Sequence, residues 1–422
     1  MRLREAAPSR GRLSAHQGTV LLFTGVLALA LNLRAAITSL PPIFPELEAA
    51  LHLSGSSLAL LAAIPVLCFG VFSGAGAPLS RRFGEDRVLV AALTLLALGL
   101  LLRGLRPSVL LFPGTIVAGA AIALMNVLLP SLVKRRAPER AGLVIGLYLL
   151  MLTAGAVVAS LIAVPVFAAV GGGLSAGSSA VRLSLGLWAV PALLAAVLWL
   201  PQLRYRTVRE DPGLVAPRLA GRPRRPPGAL TMRRSALAWQ VTLFLGLQSL
   251  TYYAALSWFP TMFRDRGASA VHAGDLLALM NLGNAITALL IPVLAHRAAD
   301  QRWLAAGANV ATGIGLVGAF FGPASAAVPV MLLLGLGQGA TLGLGIFYTM
   351  ARAPDAVSAA SLSAFAQGIG YLIASVGPLG IGFRHGATGG WLAPGLALHA
   401  VAVLPLITGW QGGRAMTVPA VG

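Results

Sequence analysis

The chain has 422 residues, enough by length for about two or three soluble domains. Its composition excludes them: 57% of residues are hydrophobic and 10% charged, against about 25% charged in ordinary globular domains, too few to clothe a soluble surface. The only cysteine, Cys68, excludes an internal disulfide framework.

The apolar residues come in long runs, each near the ~20 residues that cross a bilayer as a helix. In chain order the predicted spans are 20–40, 57–79, 88–105, 108–132, 141–168 and 181–201. After a polar stretch come 236–260, 271–295, 303–321, 327–350, 357–383 and 390–411. The first run contains Ala28-Leu29-Ala30, which formally resembles a signal-peptidase site, but it continues well beyond it and reads as an uncleaved span. The organisation expected is a tail (1–19), a six-helix half (20–201), an Arg/Pro-rich linker (202–235), a second six-helix half (236–412) and a tail (413–422). The fold class is all-α: twelve transmembrane helices in two halves around a central cavity.

The formal charge of +19 would point to nucleic acid in a soluble protein. Here the basic residues segregate by loop. Counted over alternate connections, 24 fall on one side, nine of them between Arg204 and Arg234, and six on the other, with Arg34 on neither. The basic side is cytoplasmic by the positive-inside rule, so both termini and the linker are expected there. Juxtamembrane basic loops are commonplace, and no nucleic-acid partner is expected. The stretch Gly171-Gly172-Gly173 with Gly177 reads as an external hinge-like loop.

The two halves repeat. A shift of 215 places Pro45 on Pro260, Ser54 on Ser269, Leu79 on Leu294, Arg82 on Arg297 and Arg87 on Arg302. A shift of 216 places Ala137-Pro138-Glu139 on Ala353-Pro354-Asp355. Six-span halves of like topology form a parallel repeat about the membrane normal, with a substrate site between them near the midplane.

This architecture resembles the major facilitator superfamily. Its signature loop, Gly-x-Leu-x-Asp-Arg-x-Gly-x-Arg-Arg, has a degenerate counterpart running from Ala77 to Arg87, with Arg81 where the family has Asp. The resemblance implies gating loops at Arg81, Arg82 and Arg87 and, in the second half, Arg297 and Arg302. The departure at Arg81 removes the acid of the usual cytoplasmic gating pair. Asn32-Leu33-Arg34-Ala35-Ala36-Ile37-Thr38-Ser39, the segments around Trp239 and Gly246-Leu247-Gln248-Ser249, and Ala366 to Tyr371 are similar to the cyanate permease and 2-nitroimidazole transporter branch. That implies small-solute transport by alternating access.

Arg34 is the most informative single residue. A charge deep in an apolar run costs about 2.5–3.5 kcal/mol by insertion scales, and such residues mark substrate pathways. Thr38 lies one turn along on the same face, while Asn32 points about 160° away. Other embedded polar residues are Asn126, Gln248, Tyr252, Asn281, Asn284, Gln338, Gln367 and Tyr371. Gln248 with Tyr252, and Gln367 with Tyr371, are spaced i, i+4 and can line one helix face. The candidate binding set is therefore Arg34, Asn32, Thr38, Asn126, Gln248, Tyr252, Asn281, Gln338, Gln367 and Tyr371; interhelical bonding is the bland alternative for each amide and phenol.

Three patterns fail on context. Gly173-Leu174-Ser175-Ala176-Gly177 lacks the strand of a nucleophile elbow, and the glycines from Gly313 to Gly318 sit in a span without a βαβ unit. The lone Lys134 follows Val133, which excludes a Walker A loop. Gly70/Gly74, Gly142/Gly146 and Gly335/Gly339 read as close helix packing. The function expected is transport of a small polar or anionic solute, cyanate-like, or alternatively export of neutral nitroheteroaromatics. A membrane enzyme would need clustered titratable groups, and the histidines are scattered; a sensor would need a soluble domain longer than the linker. No catalytic residue, cofactor or metal is expected; the partners are a solute and the lipid bilayer, and the chain is expected to work as a monomer.

Overall fold

The computed structural model describes residues 15–106, 108–136, 141–171, 178–204 and 232–418. The Gly-rich loop and nearly all of the basic linker lie outside them. Among the described residues there is no strand. The first six long helices are α1 (Ala15–Thr38), α2 (Gly55–Phe72), α3 (Glu85–Arg103), α4 (Leu111–Arg136), α5 (Ala141–Gly171) and α6 (Ser178–Leu187, continuing as Ala189–Arg204). The second six are α7 (Ala236–Asp265), α8 (Ala270–Arg297), α9 (Arg302–Phe321), α10 (Ala327–Ala351), α11 (Ala356–Thr388) and α12 (Leu392–Gly412). Among the described residues, ten helical stretches are long and apolar enough to cross a bilayer on those grounds alone. α3 opens on Glu85-Asp86-Arg87 and closes on Arg103, while α7 carries Gln248, Ser249, Thr251, Tyr252 and Tyr253 into the bundle interior. The polar residues of α7 face protein, not lipid.

The repeat is visible in local chemistry. Ser54 caps α2 by accepting from the Ser57 N–H, and Ser269 caps α8 by accepting from the His272 N–H; each satisfies a donor the first helical turn leaves free. In the first signature loop, a short helix (Gly76–Phe83) hands over to α3 at Gly84, whose φ of +84° suits glycine. The five arginines expected to gate lie on the short helix and near the ends of α3, α8 and α9. Arg81, Arg82, Arg87 and Arg297 are exposed, and the nearby acid Asp86 pairs with Arg136 at the end of α4. Arg302 bonds Asp300 at 2.7 Å and lies over the Trp410 ring. The Arg302 backbone N–H, followed by its guanidinium, holds the Asp300 carboxyl below the usual carboxylate range.

Four of the six basic residues on the sparse side prove to be structural. Pro41 and Pro42 end α1, since neither has an N–H to continue the ladder. The Leu40 N–H turns to Ile37 O at 3.5 Å, and Arg103, buried at the end of α3, donates to Ala36 O at 2.9 Å and to Thr115 Oγ1 at 3.1 Å. Arg103 was expected in a loop. It serves instead as the cap of a neighbouring helix, where the C-terminal dipole favours a cation. Arg182 likewise donates to Leu105 O beyond α3 and to Ser108 Oγ. Arg266 donates to Ala319 O and Gly322 O at the end of α9, both at 2.6 Å. Arg264 takes the role described below.

α2 packs on α11 and α5 on α8, which joins the halves. Glycines set the closest approaches inside the second half. A Cβ at Gly335 would meet Met280 O at 2.1 Å, and one at Gly339 would meet Asn284 O at 2.0 Å. That pair behaves as the spacing predicted. Gly70 also abuts α11, but Gly74 and Gly146 face open space, so the other two motifs are not interface pairs. The Gly313–Gly318 run packs on α10 through Gly315 and Gly318. Gly335→Ala is therefore expected to cost roughly 1–3 kcal/mol, the range for overpacking, as a lower Tm in detergent, with Gly146→Ala unchanged. Equal Tm values for the two variants would remove the α8–α10 contact from this account.

Candidate functional site

Arg34 sits four residues before the end of α1 and is half-buried, while its neighbours Leu33 and Ala35 are buried. Its Nη1 donates across to Tyr252 Oη on α7 at 2.9 Å. Tyr252 in turn donates to Asn281 Oδ1 on α8 at 2.8 Å. Asn281 Nδ2 donates to Ser160 Oγ on α5 at 3.3 Å and to Leu277 O at 3.1 Å. The chain of bonds thus runs from the first half into the second and back to the first. Among the described residues Arg34 meets no carboxylate. Its guanidinium lies instead over the faces of Tyr252 and Tyr253, 5.3 and 5.9 Å from the ring centroids, where the quadrupole favours a cation.

An aromatic wall continues from there. Tyr253 stands edge-on to Tyr252 at 5.1 Å, Tyr371 of α11 at 6.4 Å from Tyr253, and Phe69 of α2 between Tyr371 at 5.4 Å and Tyr253 at 6.4 Å. On the first-half side Tyr148 of α5 donates to Asn126 Oδ1 of α4 at 3.1 Å. Arg34 commits one of its five N–H donors to Tyr252. Among the described residues the site therefore offers a cation with free donors and flat aromatic faces, and no anion.

Of the residues expected here, Arg34, Tyr252 and Asn281 are brought together, with Tyr371 and Asn126 on the same walls. Thr38 is fully buried and its Oγ1 donates back to Arg34 O at 3.0 Å, which occupies the hydroxyl within α1. Asn32 is turned away, as its angle on the helix requires: Nδ2 donates to Ala28 O at 2.8 Å and to Pro191 O at 3.2 Å, tying α1 to α6. In this structure it is a packing residue. Gln248 donates to Ser249 Oγ and Gln367 to Ser363 Oγ, at 2.7 and 2.8 Å. Gln338 is buried with neither amide atom bonded. Sequence reasoning missed Tyr253, Tyr148, Phe69 and Ser160. Tyr148 is a lone phenol within an apolar span and was a readable signal; Phe69 and Ser160 carried none.

At the end opposite the chain termini, a second device joins the halves. Glu46, just after α1, and Arg264, at the end of α7, form a two-pronged ion pair: Nη2 to Oε1 at 2.7 Å and Nη1 to Oε2 at 2.8 Å. Phe44 stands edge-on to Trp258 beside it, and Ala59 of α2 lies against Gly382 of α11. That mouth is shut.

Two six-helix bundles with a polar site where they meet are the construction of an alternating-access transporter. The chain matches the model of the Major Facilitator Superfamily over residues 22–378 and belongs to that family. It is 39% identical over 398 residues to the 2-nitroimidazole transporter of Escherichia coli (strain K12), covering 94% of this chain and 96% of that one. It is 32% identical over 381 residues to the cyanate transport protein CynX of the same organism, covering 90% and 93%. Among solved structures it is similar to a D-xylose–proton symporter, with a TM-score of 0.74 and 16% identity over 96% of this chain and 99% of that one, a likeness of fold alone. The protein is a multi-pass membrane transporter of small molecules.

Proposed function

We propose that this transporter moves a small polar or anionic solute, cyanate-like in the first instance, through the site centred on Arg34. The observation that carries the reading is a guanidinium among tyrosines with no carboxylate partner. Its planar fork of donors suits a delocalised anion, and in a low-dielectric cavity an anion supplies the countercharge the protein omits. A second reading, a nitroheteroaromatic such as 2-nitroimidazole, draws on the wall of Tyr253, Tyr371 and Phe69, which offers faces for a ring to stack on. Gln248 and Gln367 supply further polar contacts of the proposed site, and the chain works as a monomer in the lipid bilayer without a metal or cofactor. Thermal stabilisation of the purified protein by cyanate, nitrate, simple carboxylates and 2-nitroimidazole tests both readings, since a ligand that binds only the folded state raises Tm as its concentration exceeds its dissociation constant. A panel with no shift sinks them.

The proposed setting is the bacterial inner membrane with both termini cytoplasmic, supported by the 24-to-6 division of basic residues. The Glu46–Arg264 mouth is then external. In a Cys68→Ser background, Val109→Cys should react with an impermeant maleimide on intact cells and Met416→Cys only after lysis. Both side chains are well exposed, at opposite ends of the bundle. The reverse pattern would invert the topology.

A further inference from the structure

Gln338 on α10 is 1% exposed, and neither its Oε1 nor its Nε2 has a partner; Asn284 on α8 is 7% exposed, and its Nδ2 has none. Native structures leave few buried polar atoms in this state, and each costs roughly 1–3 kcal/mol unless something bonds it. These three atoms belong to one place. α8 and α10 are pressed together where Gly335 meets Met280 O and Gly339 meets Asn284 O, so Gln338 and Asn284 flank the same contact. Gly345, seven residues after Gln338 and hence on the same face of α10, abuts Leu245 of α7. α7 and α10 run antiparallel, so seven residues back from Gly345 lies level with seven residues on from Leu245, which is Tyr252. On α8, Asn284 is three residues from Asn281, on the face where Asn281 accepts from Tyr252. The unbonded amides therefore lie beside the Tyr252–Asn281 link, on its second-half side, with Arg34 on the other.

We propose that Gln338 and Asn284 form a second subsite that binds the neutral hydrogen-bonding edge of the solute, while Arg34 holds its acceptor-rich end. The inference rests on the proposed role of Arg34 and narrows the solute class. A primary amide presents one acceptor and two donors, and so reads a ring N–H or a carboxamide edge. A solute that fills both subsites is a planar azole or amide carrying a nitro or carboxylate group at its far end, which favours the nitroheteroaromatic among the two readings above. A triatomic anion such as cyanate meets Arg34 alone.

The test uses purified full-length protein, with 2-nitroimidazole and cyanate as probes and Arg34→Gln as reference. Gln338→Leu removes the unbonded amide at similar volume, so its ligand-free Tm should rise. Its dissociation constant for 2-nitroimidazole should weaken roughly 5- to 150-fold, the equivalent of one to three lost kcal/mol, while that for cyanate stays within about twofold. Asn284→Leu should move both probes in the same directions. Arg34→Gln should weaken both. Unchanged 2-nitroimidazole binding in Gln338→Leu, beside a loss in Arg34→Gln, overturns the subsite and leaves the Arg34 site standing. A lower ligand-free Tm with unchanged affinity also overturns it, because the amide is then bonded to water as part of the fold. If neither probe binds the wild type, the Arg34 reading fails and takes the subsite with it.

Discussion

Arg34→Gln is expected to yield a folded transporter that binds its solute at least thirtyfold more weakly. Removing one member of a buried, hydrogen-bonded charge pair costs roughly 2–5 kcal/mol, and in the occupied site the solute is the other member. Arg34→Lys restores the charge without the fork and should fall between the two, because an ammonium is a point donor and a guanidinium a planar one. Arg34 also bonds Tyr252 across the halves, so weaker binding would follow from the lost bridge alone were the arginine structural. Tyr252→Phe separates these cases. It cuts the link to Arg34 and Asn281 while keeping the aromatic face, and should leave affinity for a small anion within a few-fold. Affinities of the four proteins in matched detergent decide the matter. If Tyr252→Phe reproduces Arg34→Gln, the arginine is a strut between the halves and the anion site is lost with it.

Glu46→Gln is expected to open the mouth at the basic-poor end. The carboxylate accepts a hydrogen bond from Arg264 Nη1 at Oε2, holds Nη2 at ion-pair distance from Oε1, is buried, and joins the first half to the second. Hydrogen bonds between charged groups are worth roughly 1.5–3 kcal/mol, and the closed state should lose about ten- to a hundredfold in weight against the open one. Ala59 reports the change: it is fully buried on α2 against Gly382. In a Cys68→Ser background, Ala59→Cys should resist an impermeant thiol reagent, and adding Glu46→Gln should raise its labelling rate at least about tenfold. Exchanging the charges, Glu46→Arg with Arg264→Glu, should restore protection. An unchanged rate in Glu46→Gln would show that α2–α11 packing holds the mouth by itself.

Part of this protein was legible before any helix was placed. Lipid forces every spanning segment to be helical and apolar, so the helices begin and end within a few residues of the runs read from the chain. The same constraint singles out Arg34, because a charge in such a run is costly enough to need a reason. The 215-residue repeat was readable too, and its physical content is the matched pair of caps at Ser54 and Ser269.

Which way each helix faces was not readable. A span between protein and lipid is apolar on both sides, so periodicity does not reveal the inward face. Gln338 and Gln248 look alike along the chain. The neighbouring Ser249 gives the second a local partner, and only packing buries the first without one. Arg103 reads as a loop residue at the end of α3 until the prolines after α1 free the Ala36 carbonyl for it. Arg34 and Tyr252 are 218 residues apart, and the pairing of Glu46 with Arg264 spans the same distance. Local sequence sets where the helices lie along the chain, through the cost of exposing backbone and charge to lipid. Only the tertiary structure, through the rotation of each helix about its axis and the choice of its neighbours, decides which polar groups meet.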